Sequence, residues 1–522
     1  MYRTHTCAEL GKKQVGEDVT LSGWVHKRRD LGGVIFVDLR DRYGLTQVVF
    51  HPDRLENFSV AESLKYEYVI TVTGTVVARE VSAVNENLAT GTIELAAKTV
   101  RVISAAKVMP FEIFDARKAE EDEELRLRYR YLELRREKLK NNILFRAKMV
   151  RHIRDYMEAR GFVDIATPIL TVSSPEGARD FLVPSRLHPV KFYALPQAPQ
   201  QYKQLLMVAG FDRYYQIAPC LRDEDPRADR APGEFYQLDC ETSFLESQEF
   251  WEMMEPLFVE LTEKLANKKV WKKPFPRIPY REAFETYGSD RPDLRYELPI
   301  ANITDWARAT DFKVFNQAEY VRALVVPGGA AFSRKEIDGE FTDAAKRAKA
   351  KGLAWIKFVN NKWEGTIAKF FSEQQLGSLG KQLIISDGAI IFFAADNWKI
   401  SCQALGAVRD LAAEKLRLAD PNTIAWAWIV DFPMYEWSES ENKIDFGHNP
   451  FSMPQGGLEA LNTKKPLEIL AHQYDIIANG LELSSGAIRN IVPEIMYRAF
   501  EIVGYNRKTV DEKFGAMIRA FE

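Results

Sequence analysis

FDRYYQIAPCLRDEDPRADRAPGEFYQLDCETSF (211–244) reads as a strand, a charged loop and a second strand. The loop carries Arg222, Asp223, Glu224, Asp225, Arg227, Asp229 and Arg230. Acids alternating with guanidinium groups on a hairpin suit a nucleotide, because arginine forks onto phosphate and an aromatic such as Phe235 stacks on a base. A solvated tip laced with weak ion pairs is the other reading of the same residues.

Upstream lie SSPEGARDFLVPSR (173–186) and FYALPQAPQQYKQLLM (192–207). Gly177 suggests a mobile loop holding Glu176. Gln200 and Lys203 stand three apart at a predicted helix start, so they share a face. An ammonium beside a loop carboxylate matches the two charged ends of an amino acid; a turn followed by an amphipathic helix also accounts for the pattern. Before this, Leu144, Ala147, Val150, Ile153 and Met157 recur at helical spacing until Gly161 stops the run. GFVDIATPIL (161–170) is then a strand candidate broken by Pro168, which removes a ladder donor and predicts an edge or interface position.

The N-terminal part is β-rich. VTLSGWVHKRR (19–29), VIFVDLRD (34–41), LTQVVF (45–50), YVITVTGTVVA (68–78) and TIELAAKTVRVI (92–103) are strand-like, with a helical patch RLENFSVAESLK (54–65) after the third. That order belongs to an OB-fold barrel, a common oligonucleotide reader, or to another small barrel without a ligand. Residues 106–143 form a charged connector, KAEEDEELRLRYRYLELRREK within it, either a solvated helix with internal ion pairs or a direct nucleic-acid contact.

Downstream, residues 299–420 read as an inserted α+β module without a dense acid or histidine cluster. Motif-like text resumes at WAWIVDFPMYEW (426–437) and DIIANGLELSSGAIR (475–489). Asp475, Glu482 and Arg489 recur there at intervals of seven. Two carboxylates near phosphates suit Mg2+, which takes one or two carboxylates plus phosphate oxygens and waters; a plain strand pair with a bulge is the alternative.

The chain has 522 residues and a formal net charge of -3, with 46% hydrophobic and 28% charged residues. This composition fits several globular domains and excludes a polycation, so any nucleic acid must meet local basic surfaces. The four cysteines form no CxxC pair and fit a reducing compartment. No apolar run approaches the roughly 20 residues that span a bilayer, and MYRTHTCAELGKK lacks the apolar core of a signal peptide. A cytoplasmic protein with no membrane contact is expected.

Taken together, these stretches resemble the class II aminoacyl-tRNA synthetases of the bacterial aspartyl type. GFVDIATPIL resembles motif 1, with Pro168 at a dimer interface, and residues 211–244 resemble motif 2. SPEGARDFLVPSR is similar to the loop that closes over aspartate. FYALPQAPQQYKQLLM, YGSDRPDLR (287–295), FGHNPFSMP (446–454) and LELSSGAIR match in the same order. VHKRRDLGGVIFVDLRDRYGLTQVVF (25–50) resembles the anticodon-binding domain, RYRYLELRR (128–136) the hinge, and the 299–420 segment the bacterial insertion domain.

The resemblance implies a multidomain α+β fold. It comprises an N-terminal OB-fold β-barrel (1–105), a hinge (106–143), a class II antiparallel sheet with flanking helices in two parts (144–298 and 421–522), and an inserted α+β domain (299–420). It implies an aspartate–tRNA ligase that uses ATP and Mg2+, acts on L-aspartate and tRNA-Asp, and forms a homodimer through motif 1 and the helix before it. Glu176 would bind the substrate amino group, Gln200 and Lys203 would line the pocket, and Arg489 would complete a clamp on the side-chain carboxylate. His448 would close the pocket. Arg222 would be the catalytic bridge between substrate carboxylate and α-phosphate; Asp223, Glu224 and Phe235 would hold ATP; Asp475 and Glu482 would hold Mg2+, with Glu482 also on ATP. Arg29, Phe36 and Gln47 would read the anticodon, and Leu31 resembles members restricted to tRNA-Asp.

Two further expectations follow. Lys203 with Arg489 argues for an anionic substrate side chain over the asparaginyl or lysyl alternatives, because an amide would leave two buried cations unpaired. Family text continues into a motif 3 whose arginine grips ATP, whereas this sequence stops at Glu522 after TVDEKFGAMIRAFE (509–522), with Thr509 and Glu512 placed as a capping box. A truncated sequence is expected, with a defective enzyme or a non-catalytic tRNA-binding paralogue as the other readings.

Overall fold

The computed structural model describes residues 2–113, 122–173, 179–224, 233–439 and 441–522. The chain divides into two compact units, Met1–Ile143 and Leu144–Glu522. In the first, strands β1 (Asp18–Leu31), β2 (Val34–Arg40) and β3 (Leu45–Phe50), helix α1 (Phe58–Ser63), and strands β4 (Val69–Ala78) and β5 (Ile93–Ser104) follow the expected order. They close into a barrel, β1-β2-β3-β5-β4. The β3–β5 pair is parallel and the other pairings are antiparallel.

Side chains alternate across a strand, so one set fills the barrel and the other faces out. Val19, Leu21 and Val25, then Ile35, Val37 and Leu39, then Val48 and Phe50 form that core. Between β1 and β2 the chain reverses in two residues, Gly32 and Gly33, both at positive φ (63° and 84°). A turn of that hand matches the strand twist and favours residues without a Cβ. In the connector, Glu133 accepts from Arg126 at 3.1 Å and from Arg130 at 2.6 Å, so part of its mixed charge is taken up in internal ion pairs.

The periodic helix, α2 (Glu137–Glu158), starts within the stretch read as a connector and buries Ile153, Tyr156 and Met157. Then come β6 (Val163–Asp164), α3 (Gln200–Val208), β7 (Arg213–Leu221), β8 (Glu234–Thr242), α4 (Ser247–Glu260), β9 (Arg277–Pro279) and α5 (Tyr280–Tyr287). The strand read into GFVDIATPIL shrinks to the two residues of β6, at the edge of a β8-β7-β6 sheet. Beyond it the Ile165 N–H still donates to Tyr215 O at 3.1 Å, the Thr167 N–H donates to the Gln216 side chain at 2.6 Å, and Pro168 has no N–H to give.

Residues 300–396 contribute β10 (Ile300–Asn302), β11 (Tyr320–Val326), β12 (Ala354–Val359), β13 (Lys362–Glu364) and β14 (Ala389–Asp396), followed by α6 (Trp398–Leu416). The sheet order is β10-β11-β14-β12-β13. Both faces are covered: Ile390, Phe392 and Ala394 pack with α6, and Ile391 and Phe393 pack into a second core on the other side. That is why ALVV (323–326) and AIIFFAA (389–395) are continuous apolar runs rather than alternating ones.

The chain then forms β15 (Trp426–Val430), a hairpin of β16 (Tyr435–Ser438) and β17 (Lys443–Phe446), a pair of β18 (Gln473–Ala478) and β19 (Leu481–Ala487), and α7 (Arg507–Phe521). A second sheet, β9-β15-β18-β19, results. α7 begins at Arg507 under Asn506, whose side-chain oxygen accepts from the Thr509 N–H at 2.9 Å. An asparagine cap thus replaces the expected Thr509–Glu512 box, because the helix starts before Thr509. Among the described residues, no helix is long and apolar enough to cross a membrane, and all four cysteines are free.

Candidate active site

The first turn of α3 places Gln200, Lys203 and Gln204 on one buried face against β8. On β8, Asp239 and Glu241 stand two apart and therefore share a face. Lys203 Nζ lies 2.5 Å from Asp239 Oδ1 and 3.3 Å from Glu241 Oε2. Arg489, just beyond β19, donates from Nε to Glu241 Oε1 at 2.9 Å and from Nη2 to Oε2 at 3.4 Å. These bonds tie the two sheets together. Burial opposes ionisation of Glu241, but Arg489 and Lys203 outweigh it and hold its carboxyl below the usual glutamate range. Burial likewise opposes the Lys203 ammonium, and Asp239 with Glu241 overcome it and raise its pKa.

Sequence reasoning found the two cations and missed the two acids. Asp239 and Glu241 lie in QLDCETSF, where two carboxylates on one strand face were the available signal. Their presence corrects the specificity argument: Lys203 and Arg489 already face chain carboxylates, two positive against two negative, so an amide substrate would not leave both cations unpaired. Selectivity must come from the atoms left over. Gln200 Nε2, Asp239 Oδ2 and Arg489 Nη1 are buried without a hydrogen-bond partner among the described residues, as are Asn490 Nδ2, next to Arg489, and Ser452 Oγ, whose residue forms a β-bridge with Arg489. An unmet buried polar atom costs about 1–3 kcal/mol, so these atoms are the candidates to meet a polar ligand.

The β7–β8 hairpin carries Arg222 and Phe235 at one end. Phe235 pairs with Cys220 in register, and the Arg222 guanidinium sits 5.1 Å over the Phe235 ring. Arg222 N–H donates to Gly233 O at 2.7 Å, while its Nε is buried and unpartnered. Asp223 and Glu224 follow, exposed. The remaining loop acids and arginines (225–232) and Glu176 (within 174–178) lie outside the described residues.

On β18, Asp475 is buried and its Oδ1 is unpartnered. Burial, then the neighbouring carboxylates of Glu482 and Asp290, push its pKa up to about 8. Asp475 and Glu482 lie on paired antiparallel strands with a register shift between Ile476 and Ile477, so the interval of seven reflects a hairpin, and the bulged strand pair given as the alternative is present. Asp290, in YGSDRPDLR, was missed as a site residue. One or two carboxylates completed by phosphate oxygens and waters is the usual setting for Mg2+. No group of three or more metal-ligating side chains forms among the described residues.

His448 follows the β16–β17 hairpin. Its ring meets Phe432 edge-on at 4.7 Å and Tyr280 at 6.0 Å. Loss of solvation lowers its pKa despite Glu436, Asp290 and Glu482 nearby, so the neutral imidazole is favoured.

On the barrel, Arg29, Phe36 and Gln47 come together on the outer face of β1, β2 and β3. Arg29 pairs with Phe36 in register. Arg29 Nη2 donates to Asp38 Oδ1 at 2.7 Å and to Gln47 Oε1 at 3.2 Å, and Gln47 Nε2 donates to Glu94 at 2.9 Å. Leu31 is 62% exposed at the hairpin tip.

With this geometry in place, comparisons with known proteins are informative. Residues 122–522 match a family described as tRNA synthetases class II (D, K and N), and residues 19–103 match the OB-fold nucleic acid binding domain. The chain is 53% identical over 530 residues to the aspartate–tRNA(Asp/Asn) ligase of Rickettsia canadensis, covering 100% of this chain and 88% of the relative. It is 53% identical over 523 residues to the aspartate–tRNA ligase of Streptomyces avermitilis, with the same coverage. Among solved structures it is similar to the asparaginyl-tRNA synthetase of Pyrococcus horikoshii complexed with asparaginyl-adenylate. That match has a TM-score of 0.58 and 18% identity, over 99% of this chain and 90% of that one. It is also similar to the aspartyl-tRNA synthetase of Entamoeba histolytica, with a TM-score of 0.57 and 16% identity, over 99% and 83%. At these identities the structural matches speak to the fold.

Proposed function

We propose, from the premise that the chain belongs to the class II tRNA synthetases of the D, K and N group, that it is an aspartate–tRNA ligase. It joins L-aspartate to ATP as aspartyl-adenylate and passes the aspartyl group to the 3′ end of tRNA-Asp. The observation that carries this reading is sequence identity near one half to aspartate–tRNA ligases, over all of this chain. The structural observation beside it is the buried Lys203–Asp239–Glu241–Arg489 lattice, whose remaining donors and acceptor (Arg489 Nη1, Gln200 Nε2 and Asp239 Oδ2) suit a small polar zwitterion.

In the first step, an oxygen of the aspartate α-carboxylate forms a bond to the α-phosphorus. The bond from that phosphorus to the bridging oxygen breaks, and pyrophosphate leaves with the electron pair. No protein nucleophile is needed; positioning and charge neutralisation supply the rate. Arg222 would bridge carboxylate and α-phosphate, Phe235 would stack on adenine, and Asp223 and Glu224 would orient the nucleotide. Lys203 and Arg489 would orient the side chain, Glu176 would take the amino group, and His448 would cover the pocket. Asp475 and Glu482 would hold Mg2+, which supplies charge neutralisation on the phosphates. In the second step, the 3′-hydroxyl of the terminal ribose attacks the carbonyl carbon and AMP leaves.

Arg29, Phe36 and Gln47 would stack on and read the anticodon. A homodimer would cover the apolar stripe of Val163, Ile169, Leu170 and Val172, each 45–77% exposed, beside a groove of about 220 Å³ lined by Pro168, Tyr202 and Leu205; light scattering at micromolar concentration should give the dimer mass. A cytoplasmic location fits an activity that serves translation. The deciding experiment is ATP–pyrophosphate exchange by the full-length protein. Aspartate should drive it and asparagine and lysine should not; exchange driven by either of these in preference would overturn the reading. Charging of tRNA-Asp against tRNA-Asn then tests whether Leu31 restricts the enzyme to the first.

A further inference from the structure

The hairpin that ends at His448 is held from outside by a single carboxylate. Glu436, on β16, pairs in register with Asp445 on β17. Its side chain folds over the hairpin end: a Cβ added at Gly447 would lie 3.0 Å from Glu436 Cγ and 3.1 Å from Pro433 O. Its two oxygens are gripped by two other elements. Lys399 Nζ, in the first turn of α6, is 3.1 Å from Oε2. Tyr280 OH, at the start of α5, is 3.3 Å from Oε1, and the same Tyr280 ring is one of the two aromatic walls of His448. Glu436 therefore joins the last helix of the inserted domain, the helix before that domain and the residue preceding His448.

The Lys399–Glu436 pair has side chains 50% and 32% exposed, so by itself it adds little stability. Its location gives it a different role. We propose that Lys399 and Glu436 are positioning residues for His448, through which the inserted domain holds the hairpin end over the amino-acid pocket. This rests on the reading of His448 as the cover of that pocket. Cutting the tether removes no group assigned to ATP and lets His448 drift, so the loss is expected first in aspartate binding.

The test is aspartate-dependent ATP–pyrophosphate exchange by full-length Lys399→Met, Glu436→Gln and Lys399→Glu/Glu436→Lys proteins, with thermal melts as a fold control. Neither single substitution removes core volume. The expected result is a rise of about two- to fivefold in the KM for aspartate in each single variant, the range an exposed ion pair supports. The KM for ATP should stay unchanged, and the charge-swapped double variant should recover. In a His448→Gln background, Lys399→Met should add nothing further. An unchanged aspartate KM in both single variants, an equal change in the ATP KM, or effects that multiply in the His448→Gln background would overturn the proposal. Wild-type protein separates the two readings: without aspartate-driven exchange by wild type, the assigned function and the tether fall together, whereas exchange with unaltered variants removes the tether alone.

Discussion

Glu241→Gln tests the centre of the site. Glu241 is buried and meets Arg489 at 2.9 and 3.4 Å and Lys203 at 3.3 Å. Glutamine matches its shape but removes the charge, leaving Asp239 to balance two buried cations. Its amide NH2 also has to face a guanidinium or ammonium donor. Breaking a buried pair by neutralising one partner costs about 3–5 kcal/mol. At about 1 °C per kcal/mol for a unit the size of Leu144–Glu522, the melting transition should fall by about 4–6 °C. The pH dependence follows from the direction of the Glu241 shift. Its folded pKa lies below the ordinary glutamate range, so its contribution is complete above that range and is lost as pH falls through the folded value. The gap between wild type and variant should stay level from about pH 6 to 8 and close only under acid conditions, below the ordinary glutamate pKa of about 4.3. Differential scanning fluorimetry across pH, with urea melts at pH 7, measures both quantities. A loss under about 1 kcal/mol, the value of an exposed pair, would refute the claim that this carboxylate balances buried charge.

Three further outcomes are expected. Phe36→Ala should weaken tRNA binding by about 1–3 kcal/mol, the value of one base stacked on an aromatic ring, and leave aspartate-driven exchange unchanged in a filter-binding and exchange comparison. Gly288→Ala should destabilise by about 2 kcal/mol or more, seen as a lower melting temperature, because Gly288 has φ +76° and its added Cβ would lie 2.4 Å from Cys402 O and 2.5 Å from Gly406 Cα, forcing α5 away from α6. Asn506→Ala should cost about 1 kcal/mol, with faster hydrogen exchange in the first turn of α7, since Asn506 caps the Thr509 N–H.

Local pattern carried much of the architecture. The barrel strands are readable because one face of each is wet and the other packed, so the alternation is written into residues 18–104; the Gly32–Gly33 turn is readable because both residues need positive φ. The motif 2 hairpin, the α3 start at Gln200 and the bulged β18–β19 pair were legible for similar reasons. Where partners far along the chain decided the outcome, the reading slipped. β6 ends at Asp164, and after Ile165 the Thr167 N–H goes to the Gln216 side chain rather than to a strand neighbour. The α7 cap fell on Asn506 rather than Thr509, a local competition that the spacing of Thr509 and Glu512 concealed.

The sequence by itself determined which residues bear the chemistry and in what order the elements come, since propensity, period and motif spacing are properties of neighbours along the chain. Only the tertiary structure decided how the charges are shared. Arg489 stands 248 positions from Glu241 and reaches it only once the two sheets are brought together, while Lys203 reaches it through the packing of α3 on β8. A charge in water has little preference among partners. Once burial removes the solvent, it must be matched at contact distance, and that match depends on packing between elements that no local pattern encodes.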